Sequence, residues 1–413
     1  MKPIHVTTEN PSNYARLAND AKASGVTLTA GPMPPIRAKY VLSNLPMDRP
    51  LQNVIALCKA LRKSDARQIA VNGVTVRNAL KTRTPIHPSS ATPPQLPIPT
   101  NQAYDPSVAL VIGCFDVSEE HEKAMRAAIA QLSRLDPLPK IVLVELSESC
   151  CGMMEGVLDG ITGSRYVTLP SDDRYKGLFH KEALFHYAIT HLVGNADLFV
   201  LHDGDVYPTR TDWISLIRTT IAGKDVIQPF GNSNDTIDPA FAAISCCKAL
   251  VTKDWPRKTP GLSWAVTRDY WERVGGMNTW AIAGAGDTLW AAEIRCSKED
   301  FAYMKKWTYF NAFWRDIQAA RLGYLDVPIV HVNHGPRATR CYNQRHEILN
   351  HFAPIADHLE WDLNTLLHRF RVAGCPMQKA LLRRRELLTR DDVVRVLKES
   401  GTDRPINLVG FGY

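Results

Sequence analysis

The sequence has no Cys-x-x-Cys pair, although it contains nine cysteines, an odd number. Its two adjacent pairs, Cys150-Cys151 and Cys246-Cys247, have the wrong spacing for a zinc knuckle. We predict that the cysteines are buried, reduced thiols that pack as small apolar side chains. Neither a disulfide framework nor a cysteine-based zinc site is therefore expected.

Long apolar runs and nucleotide-loop motifs are also missing. No apolar run reaches the roughly 18–20 residues that a membrane-spanning helix needs. Residues 1–10 contain no apolar segment of the kind that a secretory signal has. Neither a Gly-x-Gly-x-x-Gly fingerprint nor a Walker motif occurs, so dinucleotide and P-loop chemistry have no support. We expect a cytoplasmic protein, in the host cytoplasm if it is viral.

Positive charge is concentrated at the N-terminal end. Residues 1–83 contain 13 lysines and arginines against four acidic residues, whereas the net charge of all 413 residues is +7. The remainder of the chain is therefore close to neutral. A basic segment on a near-neutral body favours an anionic partner, with nucleic acid as the first candidate. A solvated basic surface without a partner explains the charge equally well.

Proline is dense between residues 84 and 106, which predicts a semi-extended linker there. The linker separates a small basic accessory module, residues 1–83, from the rest of the chain. Within the module, residues 51–62 have helical spacing, and residues 68–76 are predicted to form two short strands about an Asn-Gly turn. Such a module could bind nucleic acid, or it could be a packing or dimerisation appendage.

Short apolar segments alternate with amphipathic ones after the linker, and we assign residues 107–350 to one catalytic domain. This alternation indicates an α/β fold with a mainly parallel sheet and helices on both faces. Ligands bind such sheets beyond the carboxyl ends of the strands. Residues 351–413 are predicted to be a helical extension without a catalytic role. The predicted strands are 107–115, 140–146, 165–169 and 197–201, and the predicted helices between them are 119–135 and 178–192.

Two aspartates follow the fourth predicted strand, in Asp203-Gly204-Asp205. Carboxylates on either side of one small residue can converge on a hard divalent cation such as Mg²⁺ or Mn²⁺. Gly204 is expected to let a diphosphate approach the backbone, and the metal would stabilise a departing nucleoside diphosphate. A plain Asp/Gly turn after a strand is the alternative, and the tripeptide alone favours that alternative.

The surroundings of this motif resemble the GT-A family of glycosyltransferases, most closely the animal galactosyltransferase type. Lys181 lies in a helix before the strand that ends in Asp203, a Gly275-Gly276 turn follows a later strand and helix, and Asp287 lies in a Gly-rich loop. The resemblance covers residues 107–340. It implies a GT-A nucleotide-sugar-binding sheet, a Mn²⁺ or Mg²⁺ ion, and a nucleotide-sugar donor, for which a UDP-sugar is the first choice.

The resemblance also implies roles for individual residues. Asp203 and Asp205 would contact the metal and the nucleotide sugar, Asp205 more directly, and Lys181 would contact the nucleotide sugar. Asp287 matches the acid that deprotonates the acceptor hydroxyl in inverting members. Because Thr288 stands where the family usually has a second acid, Asp287 could instead bind a sugar. It could also cap a helix that begins at Thr288.

A group of histidines and arginines lies late in the predicted catalytic domain. By the pattern of the family, His331 or His334 supplies a further metal ligand. Arg337 and Arg340, close behind, could grip a diphosphate. Asp116, at the end of the first predicted strand, could contact the nucleotide or begin the next helix.

The acceptor is the least specified part of the reaction. The basic residues 1–83 favour a large anionic acceptor, and the hypothesis that uses them is transfer to the 5-hydroxymethyl group of a modified pyrimidine in DNA, as in phage-type enzymes. A bacterial glycan or a protein is the alternative acceptor. A sugar nucleotidyltransferase is another enzyme class, but residues 113–118 lack its Gly-rich basic loop. A non-enzymatic nucleic-acid-binding protein would leave the metal-type motif without a purpose.

Overall fold

The structure is a computed structural model, and the chain divides into two compact units, Met1–Ala91 and Thr92–Tyr413. Five short strands are described in the first unit, together with these residues of the second: 95–148, 152–236, 243–252, 258–297, 307, 309–334, 341–383, 386–387, 389–406 and 408.

The first unit contains one five-stranded sheet in the order β2-β1-β3-β4-β5. Val71 of β4 pairs with Val74 of β5 in antiparallel register, which confirms the hairpin predicted over residues 68–76. The helix predicted over residues 51–62 lies outside the described residues. The strands are β1 (Ile4–Val6), β2 (Leu28–Ala30), β3 (Tyr40–Leu42), β4 (Ile69–Val71) and β5 (Val74–Thr75).

The second unit is built on a seven-stranded sheet in the order β16-β11-β15-β9-β6-β7-β8. Its strands are β6 (Tyr104–Phe115), β7 (Leu138–Ser147), β8 (Arg165–Pro170), β9 (Leu198–His202), β11 (Val226–Gln228), β15 (Ser263–Thr267) and β16 (Leu322–Tyr324). All neighbours are parallel except at β15, which runs antiparallel to both β9 and β11.

Helices cover both faces of this sheet. Along β6, Ala109 and Val111 belong to one apolar core, whereas Leu110 and Ile112 belong to another on the opposite face. Successive side chains of a strand point to opposite faces, so both faces must be apolar when both are covered. The helices are α1 (Glu119–Leu132), α2 (Lys181–His191), α3 (Trp213–Ile221), α4 (Cys246–Thr252), α5 (Arg268–Val274), α6 (Gly286–Glu293), α7 (Tyr309–Phe313), α8 (Tyr342–His351), α9 (Pro376–Leu382) and α10 (Arg390–Glu399).

The predicted fold class is therefore confirmed: the unit is α/β, with a large and mostly parallel sheet between helices. A smaller five-stranded sheet, in the order β10-β17-β12-β13-β14, was not predicted from the sequence. Its strands are short, and they matter because β17 carries His331 and β10 directly follows Asp205. They are β10 (Val206–Pro208), β12 (Asn232–Asp235), β13 (Ala243–Ser245), β14 (Lys258–Thr259) and β17 (Pro328–His331).

Two segments differ from the expectations. Leu96, in the predicted linker, is buried in the core of the second unit, and its backbone N–H donates to Gln131 Oε1 at 2.8 Å. In the C-terminal part, β18 (Leu359–Asp362) and β19 (Leu367–Phe370) form an antiparallel hairpin before α9 and α10, where helix alone was predicted. The antiparallel pairing of β18 with β19 accounts for that difference. Among the described residues, no helix is both long and apolar enough to cross a membrane.

Candidate metal and substrate site

Asp203-Gly204-Asp205 forms the link between the two sheets of the second unit. β9 ends at His202 in the large sheet, and β10 begins at Val206 in the small one. The buried imidazole of His202 spans the turn, with Nε2 2.9 Å from the carbonyl oxygen of Val206 and Nδ1 3.0 Å from Ser263 Oγ. Burial lowers the pKa of His202, which favours the neutral ring. The turn is therefore fixed from both sides.

Gly204 is needed for packing, which differs from the role expected for it. A Cβ atom at this position would lie 2.4 Å from Cε of Met125 and 3.0 Å from Cγ2 of Ile112. Met125 belongs to α1, so the space above Gly204 is filled by that helix. The glycine lets α1 approach the turn, and α1 brings His121 with it.

Asp205 lies at the centre of a group of imidazoles. Its Oδ2 atom is 2.8 Å from Nε2 of His334, 3.3 Å from Nε2 of His331 and 3.9 Å from Nε2 of His121. The rings of His121 and His334 stack with their centroids 4.3 Å apart. The ligand atoms of His121, Asp205 and His334 lie within 4.8 Å of one another, which is close enough for all three to hold one metal ion.

The sheet register explains why these residues meet. β10 and β17 are antiparallel, and Val206 pairs with His331, so the end of β17 lies beside the aspartate motif. The backbone N–H of Val332 also donates to the carbonyl oxygen of Asp205 at 2.8 Å. His121 comes from a different direction, in the first turn of α1, which begins after an N-cap at Ser118.

The charges of this group depend on one another. Burial alone would raise the pKa of Asp205, but His331 and His334 hold it well below its usual range. Burial opposes a charge on His331 as well, yet Asp205 and Asp235 raise the pKa of that imidazole to about 9. The carboxylate of Asp205 is therefore ionised and attracts a positive charge, from either protonated imidazoles or a metal ion.

Asp203 contacts a different partner. Its Oδ1 atom accepts a hydrogen bond from Lys181 Nζ at 3.0 Å, and the same ammonium donates to Oδ2 of Asp287 at 2.6 Å. Only 11% of the Lys181 side chain is exposed. Burial opposes its charge, but Asp203, Asp287 and Glu182 raise the pKa of Lys181 well above its usual range. Lys181 is thus a fixed cation between two carboxylates.

Asp287 lies in the first turn of α6. That helix begins at Gly286 after an N-cap at Ala285, so the possibility that Asp287 caps a helix beginning at Thr288 is wrong. Burial raises the pKa of Asp287, with Lys181 opposing this change and Asp203 reinforcing it. Burial also raises the pKa of the neighbouring Glu182 to about 8. Two carboxyl groups beside one ammonium thus hold their protons more tightly than in water.

A cavity of about 570 Å³ opens at the carboxyl ends of β6, β7 and β8. Asp116 lines it from the end of β6, where φ is 51° as the chain turns from the strand toward α1. Ser147 lines it from the end of β7, Ser171 lines it from directly after β8, and Lys176 lines it from the loop before α2. The position, at the strand ends of a mostly parallel sheet, is where ligands of such folds bind.

The structure thus brings together Asp205, His331 and His334, and places Lys181 between Asp203 and Asp287. Asp116 is in the cavity and not in either cluster. Arg337 and Arg340 lie outside the described residues. His121 was missed because a histidine in a helix that starts with two glutamates has no distinctive spacing. Its position directly after the first strand, at the same sheet edge as Asp205, was the one available signal.

No protein-family model matches the sequence, and a search of curated proteins found no match. Among solved structures, the chain is similar to a mannosyltransferase from Pyrobaculum calidifontis in complex with GDP-Man and Mn²⁺, with 15% identity, 74% of this chain and 76% of that chain covered, and a TM-score of 0.35. It is also similar to glucosyl-3-phosphoglycerate synthase from Mycobacterium tuberculosis in complex with Mn²⁺, UDP and glucosyl-3-phosphoglycerate, with 9% identity, 58% of this chain and 77% of that chain covered, and a TM-score of 0.32. A third similar structure is 4-diphosphocytidyl-2C-methyl-D-erythritol synthase from Anaerococcus prevotii, with 12% identity, 52% of this chain and 86% of that chain covered, and a TM-score of 0.27. Likenesses of this size do not assign a function, so the side-chain geometry must carry that assignment.

Proposed function

We propose that this chain is a metal-dependent glycosyltransferase that moves a sugar from a nucleotide-sugar donor to a hydroxyl acceptor. The observation that carries the proposal is the cluster of Asp205 with imidazoles at the sheet edge. Asp203, two residues before Asp205, is paired with Lys181. Displacement of a nucleoside diphosphate needs positive charge for the phosphates and a carboxylate for the acceptor proton. Both are present in the two side-chain clusters at the ends of Asp203-Gly204-Asp205.

The donor set fits a divalent ion. His121, Asp205 and His334 offer one carboxylate oxygen and two imidazole nitrogens within reach of one another, and the Nε2 atom of His331 lies 3.3 Å from Oδ2 of Asp205. These four side chains would hold the ion. When bound, the ion would act as a Lewis acid on the phosphate oxygens of the donor and stabilise the leaving nucleoside diphosphate.

Lys181 and Asp287 would act on the sugar side of the reaction. The ammonium of Lys181 keeps Asp203 and Asp287 in fixed positions, because it donates to both. In this proposal, Asp287 accepts the proton of the attacking acceptor hydroxyl, and its raised pKa brings it closer to the working pH of a general base. Asp287 could alternatively bind a hydroxyl of the donor or acceptor sugar, as the replacement of a second acid by Thr288 suggests.

The cavity at the ends of β6, β7 and β8 would receive the nucleoside of the donor. Its volume of about 570 Å³ is within the ordinary range for small-molecule sites. Asp116 at its edge could accept hydrogen bonds from the base or the ribose, and Lys176 could approach the phosphates. We keep a UDP-sugar as the first donor to test and a GDP-sugar as the second.

Binding and turnover of donors test this proposal. The full-length chain is mixed with Mn²⁺ and a panel of UDP- and GDP-sugars, and thermal unfolding and release of nucleoside diphosphate are measured. We expect at least one donor to raise the midpoint of unfolding only when Mn²⁺ is present, and Asp205→Ala to abolish that rise. If no donor has an effect, or Asp205→Ala changes nothing, the proposal fails. Release of pyrophosphate from a sugar 1-phosphate and a nucleoside triphosphate would instead indicate a nucleotidyltransferase.

The acceptor of the sugar is a separate proposal from the transfer reaction. We propose DNA containing 5-hydroxymethylpyrimidines as the first acceptor to test, because residues 1–83 are basic. Mass spectrometry of nucleosides, after incubation of such DNA with the chain, Mn²⁺ and mixed nucleotide sugars, would reveal a hexose or pentose addition. Without such an addition, glycans and proteins become the acceptors to test, while the donor-side result stands.

A further inference from the structure

Asp235 is a buried carboxylate next to the histidine cluster. It is the last residue of β12, and only 4% of its side chain is exposed. His331 Nδ1 lies 2.9 Å from its Oδ2 atom, and Asn333 Nδ2 lies 3.1 Å from each of its two oxygens. A buried carboxylate requires partners that compensate for its lost hydration, and these two side chains provide that compensation.

Backbone contacts fix the same residues relative to one another. β12 and β17 run parallel, and Asp235 pairs directly with His331 in their register. The N–H of Thr236 donates to the carbonyl oxygen of His331 at 3.1 Å, and the N–H of Asn333 donates to Oγ1 of Thr236 at 3.1 Å. The end of β12 therefore holds the short stretch that leads to His334.

The two nitrogens of the His331 ring face two different carboxylates. Nδ1 faces Asp235, and Nε2 lies 3.3 Å from Oδ2 of Asp205. An imidazole that donates its Nδ1–H to a carboxylate leaves Nε2 as the nitrogen that can bind a metal. A carboxylate behind a metal-binding imidazole fixes its tautomer and orientation and strengthens it as a ligand.

We infer that Asp235 is a positioning residue of the metal centre, which acts by holding Nε2 of His331 toward Asp205 so that His331 becomes a ligand. This inference rests on the metal centre of the proposed function. The centre then has three imidazoles, from His121, His331 and His334, and one carboxylate. Mg²⁺ prefers oxygen ligands, whereas imidazole suits borderline transition ions. The centre therefore selects an ion such as Mn²⁺ or Co²⁺ over Mg²⁺.

The test is the Mn²⁺ affinity of the full-length chain, measured from the electron paramagnetic resonance signal of free Mn²⁺. Asp235→Asn keeps the size of the side chain and removes its charge. We expect Mn²⁺ to bind about 10–100-fold more weakly, as is usual when the partner of a metal-binding histidine is removed. We also expect Mg²⁺ to compete poorly with Mn²⁺ for the wild-type chain. Equal Mn²⁺ affinity of the variant and the wild type would overturn the inference.

A double-mutant cycle separates positioning from a general structural effect. If Asp235 acts through His331, then Asp235→Asn has no further effect on Mn²⁺ affinity in a His331→Ala background. An effect that persists in that background would contradict the positioning role. Asn333→Ala is the matched control, because it removes the other partner of Asp235 and leaves the contact with His331, and we expect it to retain Mn²⁺ affinity.

Two results keep the outcomes distinguishable. If Asp235→Asn does not fold, the visible spectrum of bound Co²⁺ is compared between the wild type and His331→Ala. The inference predicts that this variant loses one nitrogen ligand, so its spectrum must change. An unchanged spectrum overturns the inference. If the wild-type chain binds no Mn²⁺, the metal centre and the proposed function fail together. If it binds Mn²⁺ but neither variant differs from it, the inference about Asp235 fails together with the place of His331 among the ligands, while the metal centre itself stands.

Discussion

The two ends of Asp203-Gly204-Asp205 lie in opposite electrostatic surroundings. Asp203 is paired with Lys181, an ammonium that is also bound to Asp287 and cannot leave. Among the described residues, the ionic partners of Asp205 are imidazoles, whose positive charge depends on protons. A metal ion can replace those protons, whereas no ion is needed beside Asp203. Two carboxylates in one short motif therefore need not share one cation, and their surroundings divide the work between them.

Gly204, the residue between the two aspartates, contributes to this difference. Gly204 lies under α1, where Met125 and Ile112 fill the space that a side chain would take. The helix above the glycine supplies His121 to the Asp205 side alone. Close packing at Gly204 is therefore part of what makes the two ends different.

The largest effect is expected at Asp205, the aspartate that is proposed to bind the metal. Asp205→Asn removes the charge that gathers the imidazoles, and we expect Mn²⁺ affinity to fall by about 10³-fold, or roughly 4 kcal/mol. Titration of the variant and the wild type with Mn²⁺, followed by electron paramagnetic resonance, measures this. Asp203→Asn is the control and should retain most of the affinity. A larger loss in the control than in Asp205→Asn would reverse the comparison.

The second effect is expected at Lys181, the partner of Asp203, and it concerns the free energy of unfolding. Lys181→Met leaves Asp203 and Asp287 without their common cation, and we expect the free energy of unfolding to fall by about 3 kcal/mol. Denaturant unfolding measures the change. Mn²⁺ affinity should stay equal or increase, because a negative charge near the ion has been freed. If Mn²⁺ affinity falls as far as in Asp205→Asn, the two ends are one site and the distinction is lost.

A pH-dependent effect of intermediate size is expected from Glu182, beside Lys181. Burial raises the pKa of Glu182 in the folded chain to about 8, whereas its ordinary value, which applies in the unfolded chain, is 4.5. Between pH 4.5 and pH 8, the folded chain therefore holds a proton on Glu182 that the unfolded chain has lost. Its contribution to stability is complete below pH 4.5 and is lost as the pH rises through 8. Glu182→Gln lacks this dependence, so relative to the variant the wild type should lose about 1–2 kcal/mol between pH 5 and 8.5. Denaturant unfolding at several pH values checks this, and parallel profiles of the two proteins would contradict it.

The smallest effect is expected at the glycine. In Gly204→Ala, the added methyl group displaces the flexible end of Met125 and presses on Ile112, which moves α1 slightly away from the turn. We expect Mn²⁺ affinity to fall by only a few-fold, or less than about 1 kcal/mol. Met125→Ala in the same background should restore much of it. A full loss of Mn²⁺ binding would contradict the small packing effect expected here.

Much of the large sheet could be predicted from the sequence because its strands are continuous apolar runs. β6 and β7 are buried on both faces, so their composition differs sharply from that of the helices between them. The motif at the end of β9 could be predicted for the same reason, since the strand before it is wholly buried. The pairing of Asp205 with His331 or His334 followed from the resemblance to a family and not from the residues themselves.

The rest could not be predicted, because it depends on long-range pairing of polar segments. β12, Asn-Ser-Asn-Asp, has poor strand propensity and is typical of a loop. It becomes a strand because it pairs with β13 and β17, and only this pairing places Asp235 beside His331. The division between Asp203 and Asp205 was equally hidden, because a periodic pattern does not show which carboxylate a buried lysine will bind.

In the proposed function, one ion would join the histidines of this chain to the diphosphate of the donor. Pulsed electron paramagnetic resonance of Mn²⁺ bound to the wild-type chain, with UDP or GDP present, tests it directly. We predict nitrogen couplings from imidazole and phosphorus couplings from the diphosphate on the same Mn²⁺ ion, with the nitrogen couplings reduced in His334→Ala. A Mn²⁺ ion that shows phosphorus couplings without any imidazole nitrogen would contradict the proposed histidine centre.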